Sequence, residues 1–564
     1  LEILREADLL IGHNIIKYDL PVLKLLRGWL PKPGAQVYDT LIAATLAWPG
    51  DRLKFADAKL VKRAQLPAKL LGRYSLESFG YRLRCLKGEY KGGWEAWNQD
   101  MQDYADQDGV VTEKLFEVLQ KKEIPQVAFD LEQQVAAIIS DQEVHGVYFD
   151  VRAAEKLYAV LSAERADLTG VLQETFLPRV IRGEEVVPVR GDKRLGYVKG
   201  AAFTRVKIKT FNPGSREQCV WHLKRLGWEP DTFTKAGAPK LDDAILSDLP
   251  YPEAKPLARY FLLSKLLGML GDGDNAWLRS VTALGKIHGE VNTNAAVTGR
   301  ATHREPNLAQ VPKVKKNKDG SIALMAAGKY GFECRSLFIQ PPMPGYTMVG
   351  ADCSGLELRV FAHYLAPLDG GNYVRVVTEG DVHTTNQLAA GLPNRDNAKT
   401  FIYALIYGAG DAKLGSIVGK GKAAGAKLRK AFLEAIPGMK RLVELVAKKA
   451  TQRGFLVGLD GRKLYVRKAH AALNLLFQSA GALICKQWMV EVRKAAAAAG
   501  LTAGEDFIQV LWVHDEIQVY VKDEHVDLFK RIAVDATAAA GDFFKIRCPL
   551  TGEAKAGSSW AETH

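Results

Sequence analysis

Several things are scarce in this chain. No apolar run approaches the roughly 20 residues of a membrane span, and no secretory leader is visible. Cysteine is sparse and scattered: Cys85, Cys219, Cys334, Cys353, Cys485 and Cys548 form no C-x-x-C. That excludes a disulfide framework and a paired-cysteine zinc site, and fits reduced thiols. No Walker-type phosphate loop is present, because the glycine-rich GSIVGKGKAAG (Gly415 to Gly425) has the wrong spacing. Acid is in deficit: 77 Lys and Arg against 64 Asp and Glu leave a net charge of +13 and a pI near 9.2. Such a balance suits a polyanionic partner, although an ordinary basic surface has the same charge. With 564 residues, 47% hydrophobic and 25% charged, the composition is that of a globular protein of several domains. The chain opens on Leu1 rather than Met, as at a fragment boundary.

The informative stretch is RDNAKTFIYALIYG, Arg395 to Gly408. Arg395, Lys399, Tyr403 and Tyr407 recur every four residues, which keeps them near one helix face. Pro393 and Asn394 supply a helix start, and Gly408 with Gly410 a stop. At ~1.5 Å per residue, Lys399 lies roughly 6 Å from Tyr403, and Arg395 roughly 18 Å from Tyr407. A face cationic at one end and aromatic at the other can hold a triphosphate and a base. Taken alone it is equally an amphipathic helix with snorkelling cations and packed tyrosines.

Two acidic stretches flank it. YTMVGADCSGLELR (Tyr346 to Arg359) reads as an apolar strand ending at Asp352, a turn at Gly355 and a helix. FIQVLWVHDEIQVYV (Phe507 to Val521) reads as a hairpin with His514, Asp515 and Glu516 at its tip. Carboxylates at a strand end and a hairpin tip can meet across neighbouring strands. Two of them can bind a pair of divalent metals that clamp the attacking and leaving oxygens of a phosphoryl transfer. Read singly, each is a solvated turn residue.

In this order the three stretches resemble motifs A, B and C of the family A DNA polymerases, in wording like the replicative enzymes of short-tailed bacteriophages. The resemblance implies an α+β and α/β multidomain fold: a right-hand polymerase of palm, fingers and thumb. An N-terminal ribonuclease-H-like 3′–5′ exonuclease domain lacking its first strands is implied too. The expected divisions are 1–124 exonuclease-like, 125–285 thumb and connecting helices, 286–365 palm, 366–472 fingers and 473–564 palm. It implies that Asp352, Asp515 and the Cys353 carbonyl hold two Mg²⁺ ions, with Mn²⁺ as a substitute. Arg395, Lys399 and His383 (in GDVHTTNQ) would bind the triphosphate, with Lys399 the proton donor to pyrophosphate. Glu357 and Tyr403 would close off the sugar 2′ position, and the Tyr403 phenol would permit dideoxynucleotide use. Tyr407 and Gly408 would end the fingers helix beside the templating base. Arg300 (in TGR), Asn474, Gln478 and His514 would contact primer and template, and Glu516 would be secondary. Minor-groove contacts suit a polymerase because acceptors there are similar for every pair.

The resemblance extends upstream. In residues 1 to about 120, GHNIIKYD matches the second exonuclease motif with Asp19, and YADQD the third with Tyr104 and Asp108 at a helix start. A further acid, Asp39, sits in VYDTLIAATLAW. The first motif, an Asp-x-Glu, is absent from the sequence as it begins here, so impaired proofreading is expected. Helical runs from Phe129 to Glu143 and Val151 to Thr175 lead into the thumb. Between Phe176 and Phe211 comes a basic, irregular stretch with Arg179, Arg182, Arg190, Lys193, Arg194, Lys199, Arg205, Lys207 and Lys209. It tracks DNA phosphates or is a solvated loop. Phage members carry a longer insertion here that recruits host thioredoxin, so that partner is not expected. Lys313, Lys315, Lys316 and Lys318 follow in a polar, mobile segment. The ending GSSWAETH is like that of the phage enzymes, as at a complete C-terminus.

Expected partners are primer–template DNA, deoxynucleoside triphosphates and a phage helicase–primase, in the cytoplasm of an infected bacterium and without a membrane. The alternatives are a single-subunit RNA polymerase, which lacks the acid of Glu357, and a DNA-binding nuclease, which needs no complete A, B and C set. A non-enzymatic DNA-binding protein would gain nothing from acids set within a cationic surface.

Overall fold

The computed structural model describes residues 2–234, 236–317 and 319–563, so Lys318 of the lysine cluster lies outside the described residues. Two compact units emerge: Leu1–Tyr148 with His288–Val311 and Phe338–His564, and Phe149–Ile287 with Pro312–Leu337. The first unit therefore takes in the Gln126–His145 helix, and the second takes in the segment around Lys315 and Lys316.

The first unit is centred on an antiparallel sheet in the order Phe507–Val513, Glu516–Lys522, Tyr346–Cys353, Gly552–Gly557. The Tyr346–Cys353 strand is central, so its apolar residues are buried on both faces: Met348, Val349 and Ala351 are all core. The register pairs Val349 with Val519 and Asp352 with Glu516. The Val526–Phe543 helix packs on this sheet and on the Ala472–Ala498 helix. There the Trp488 indole N–H donates to the Ala533 carbonyl at 2.8 Å.

Toward the N-terminus, Leu9–Gly12 pairs in parallel with Gln36–Asp39. Asp39 is buried and caps the Thr40–Ala47 helix, accepting the Leu41 N–H at 2.9 Å and the Asn14 N–H at 3.0 Å. Asn98 starts the next long helix, Gln99–Gln120, by accepting the Met101 N–H at 2.9 Å. Tyr104 and Asp108 therefore sit in the helix's second and third turns, not at its start as the sequence suggested.

In the second unit the Val151–Thr175 and Ala254–Leu267 helices pack together, and Arg259 forks onto Glu164 at 2.6 and 2.9 Å. The stretch expected to be irregular is an antiparallel ribbon, Arg179–Val186 with Phe203–Lys209. Alternating Val, Ile and Thr favour the extended chain. Arg179, Lys207 and Lys209 share one face; Val180, Val206 and Ile208 share the other.

Candidate active site

The strand register brings two acids to one edge. Asp352 lies opposite Glu516, and the Cys353 N–H donates to the Asp515 carbonyl at 3.0 Å. His514 and Asp515 form the hairpin turn, with His514 at φ 60°, the left-handed conformation such turns need. Asp352 and Asp515 are half-buried and His514 is exposed. Glu516 is buried, and its Oε1 accepts the Trp560 indole N–H and the Gln518 amide at 2.7 Å. Glu516 thus ties the sheet to the C-terminal segment.

The Arg395–Ile406 helix starts where Asn394 caps it, accepting the Asn397 N–H at 2.8 Å. It buries Ala398, Phe401, Ile402, Leu405 and Ile406, leaving Arg395 and Lys399 exposed and Tyr403 half-buried. The Tyr403 phenol is pushed up to about 12 by burial, with Glu357 and Asp515 adding to it. The Tyr407 hydroxyl donates to Glu357 Oε1 at 2.5 Å, and burial and Glu357 raise it as well. Glu357 therefore hydrogen-bonds Tyr407, while Tyr403 is within its electrostatic reach. The Cys485 thiol is raised by its hydrogen bond to Cys353, by burial, and by Asp515 and Glu357. Tyr403 and Cys485 thus sense both Asp515 and Glu357, and Tyr407 senses Glu357. The Arg300 guanidinium stands 6.0 Å from the Tyr407 ring centroid. Across from Gly408 the Gln478 amide donates to Asn474 Oδ1 at 2.6 Å.

Arg395, Lys399 and His383 form a second group. Burial lowers the His383 imidazole, and the charges of Arg395 and Lys399 lower it further. Arg395 forks onto Asp381, at 3.0 Å from Nε and 3.3 Å from Nη2. The sequence reading passed over Asp381; its signal was an Asp at the N-cap of the Val382–Ala390 helix, two residues before His383.

The donors at the sheet edge fit a divalent ion. Carboxylate and carbonyl oxygens are what hard cations such as Mg²⁺ take. Among the described residues no three His, Cys, Asp or Glu side chains gather as a closed cage. Mg²⁺ needs none, since it keeps waters and takes substrate phosphates.

A buried ion network supports these groups, and it was not foreseen. Glu132 Oε1 meets Lys486 Nζ at 2.5 Å and Arg462 Nη2 at 2.7 Å, all three buried. Arg462 also reaches Asp460 at 2.7 Å and Asn294 at 3.0 Å. Its Nη1 would lie 2.8 Å from a Cβ on Gly299, whose φ is +75°, so only glycine fits the turn before Arg300. Lys486 shares its helix with Gln478, so one carboxylate anchors both the Arg300 turn and the Gln478 helix.

In the N-terminal region Asp19 opens the Asp19–Arg27 helix, and burial raises its carboxyl. Asp108 is occupied differently: the Lys87 ammonium lies 2.8 Å from Asp108 Oδ2 and 4.7 Å from the Tyr104 ring centroid.

The chain is similar to known proteins over most of its length. A model described as DNA polymerase family A matches residues 190–562. The DNA-directed DNA polymerase of Enterobacteria phage T3 is 37% identical over 668 positions, covering 99% of this chain and 93% of the relative. That of Escherichia phage T7 is 37% identical over 666 positions with the same coverage. Among solved structures, the POL domain of Pol1 from M. smegmatis, in complex with DNA primer-template and dNTP, superimposes with a TM-score of 0.69 at 21% identity. That match covers 95% of this chain and 84% of the other.

Proposed function

The chain belongs to DNA polymerase family A and is a DNA-directed DNA polymerase with a right-hand fold, and we propose that it extends a primer at the edge shared by Asp352 and Asp515. The supporting observation is the Cys353 N–H to Asp515 carbonyl bond of 3.0 Å, which joins the ends of two strands beside Tyr403 and Glu357. Family A polymerases generally use divalent metal ions. Here two Mg²⁺ would be held by Asp352, Asp515 and the Cys353 carbonyl. When bound they would lower the pKa of the primer 3′-hydroxyl and stabilise charge on the phosphates.

The remaining work falls to the chain's own side chains. The primer 3′-oxygen attacks the α-phosphorus, the bond from that phosphorus to the bridging oxygen breaks, and pyrophosphate leaves. Arg395, Lys399 and His383 hold the triphosphate, and Lys399 gives a proton to the leaving pyrophosphate. Tyr403 and Glu357 bar a 2′-hydroxyl. Arg300, Asn474, Gln478 and His514 check the shape of the terminal pair, while Tyr407 and Gly408 bound the template base. The divisions given above, with palm in 286–365 and 473–564, fingers in 366–472 and thumb in 125–285, follow from this assignment. The polymerase would serve phage replication in the host cytoplasm with a phage helicase–primase. Thioredoxin is not expected as a partner, because the stretch between Phe176 and Phe211 is a short ribbon. Proofreading would be impaired, because the Lys87 ammonium, 2.8 Å from Asp108 Oδ2, competes with a metal for that oxygen.

The test is extension of a labelled primer with Mg²⁺, comparing the chain with Asp515→Ala and adding a mismatched 3′ end and a lane without nucleotides. The reading requires extension that the substitution abolishes and no shortening of the mismatched primer. Extension with ribonucleotides alone would overturn it. Rapid trimming of the mismatch that Asp108→Ala abolishes would overturn the proofreading part.

A further inference from the structure

We propose that Asp381 competes with the incoming nucleotide for Arg395: its carboxylate holds the guanidinium in the nucleotide-free enzyme and releases it to the triphosphate. The inference rests on the reading of Arg395 as a triphosphate contact.

Three observations carry it. Arg395 makes its planar two-point contact with Asp381, at 3.0 and 3.3 Å, using the same fork that would grip a phosphate. The pair is exposed, with side-chain accessibilities of 55% and 46%, so it is weak enough to exchange. Asp381 also has other donors: the His383 N–H at 3.0 Å, the Thr384 N–H at 3.3 Å and the Thr384 hydroxyl at 2.7 Å. Losing Arg395 therefore does not leave the carboxylate bare. Beside it the His383 Nδ1 is buried without a hydrogen-bond partner. The same exchange runs backward after chemistry, when Asp381 retakes Arg395 and helps pyrophosphate depart.

The experiment is single-nucleotide incorporation by Asp381→Asn, Arg395→Ala and the double variant, with pyrophosphorolysis measured alongside. Asparagine keeps the helix cap through its amide oxygen and replaces the oxygen that Arg395 Nε and the Thr384 hydroxyl use with an NH2 donor, and a thermal melt verifies folding. Competition requires Asp381→Asn to lower the KM for deoxynucleotide roughly 2- to 5-fold, the range an exposed ion pair supports. Pyrophosphorolysis at limiting pyrophosphate should rise by a similar factor. In the Arg395→Ala background the Asp381 substitution should change nothing further. A raised KM in Asp381→Asn would make Asp381 an orienter of Arg395 and overturn the proposal, as would an unchanged KM. An equal fall with and without Arg395 would reduce the effect to general charge repulsion and overturn it too. An Arg395→Ala enzyme of unchanged KM would remove the triphosphate reading itself, a failure distinct from the others.

Discussion

Two regions of the first unit carry carboxylates in recognisable motifs, and their neighbours differ. In the N-terminal region Asp108 is matched by its own lysine, Lys87, at 2.8 Å, stacked over Tyr104. At the sheet edge burial pushes up Tyr403, with Glu357 and Asp515 adding to it, and the Cys485 thiol is raised by its hydrogen bond to Cys353, by burial, and by Asp515 and Glu357. The first carboxylate has a cation from within the chain; the second group offers oxygens of the kind a divalent ion takes. A motif match thus says which acids are present, and the neighbours decide whether they can take a metal.

The sharpest way to break that contrast is to delete one acid from each region. Asp515→Ala should lower primer extension by on the order of 10³ or more, because it removes a metal ligand. Asp108→Ala should leave extension within about twofold and release no hidden nuclease, as read by primer shortening. Next in size is the buried network. Glu132 is fully buried between Lys486 and Arg462, so Glu132→Gln leaves the Lys486 ammonium without its counter-ion while Arg462 keeps Asp460, and should cost about 3–5 kcal/mol of stability in denaturant unfolding. If the network also sets the Arg300 turn, that enzyme should lose extension of matched primers before it loses nucleotide affinity.

The dideoxynucleotide response tests the palm edge more finely. Tyr403→Phe removes one phenol hydroxyl from a half-buried site, and a hydrogen bond there is worth ~1–3 kcal/mol. Incorporation of dideoxynucleotide relative to deoxynucleotide should fall about 10- to 100-fold in competition assays. An unchanged ratio would detach Tyr403 from the sugar and leave the Tyr407–Glu357 bond as the closer contact.

Local signals made much of this legible. Asn394 and Gly408 bound the Arg395–Ile406 helix as their cap preferences dictate, and the HDE turn sits between two β-rich runs. What escaped has a common cause. Glu132 meets Arg462 and Lys486 across 330 and 354 residues of sequence, and no periodicity encodes such a meeting. Lys87 lies in a turn-rich loop with no motif to flag it. The Arg179–Lys209 ribbon was hidden by its charges, which masked the alternation of Val180, Val206 and Ile208. Asp381 was nearer to discovery, since its capping position is readable, but its partner Arg395 is supplied by the next helix.

The smallest expected effect compares the two regions through buried histidines. His13, in the N-terminal region, donates from Nε2 to the Tyr74 carbonyl at 2.8 Å, and burial lowers it to about 4. His363, in the helix after Asp352, accepts the Arg547 N–H at Nδ1, 3.1 Å away, and burial lowers it to about 4 as well. Both are neutral in the folded chain. Above the ordinary value of 6.5 each is neutral in the unfolded chain too, so the full contribution is present. As pH falls from 6.5 toward 4 the unfolded chain binds a proton that the folded one refuses, and stability is lost. His363→Gln keeps an acceptor for Arg547 and removes the titration. Its melting temperature should therefore drop less between pH 7 and pH 5 than that of the parent, by about 2 °C for a chain this large. His13→Gln should blunt the acid response of the N-terminal region in the same way. If only one of the two does so, that region is the one whose acid unfolding limits the enzyme.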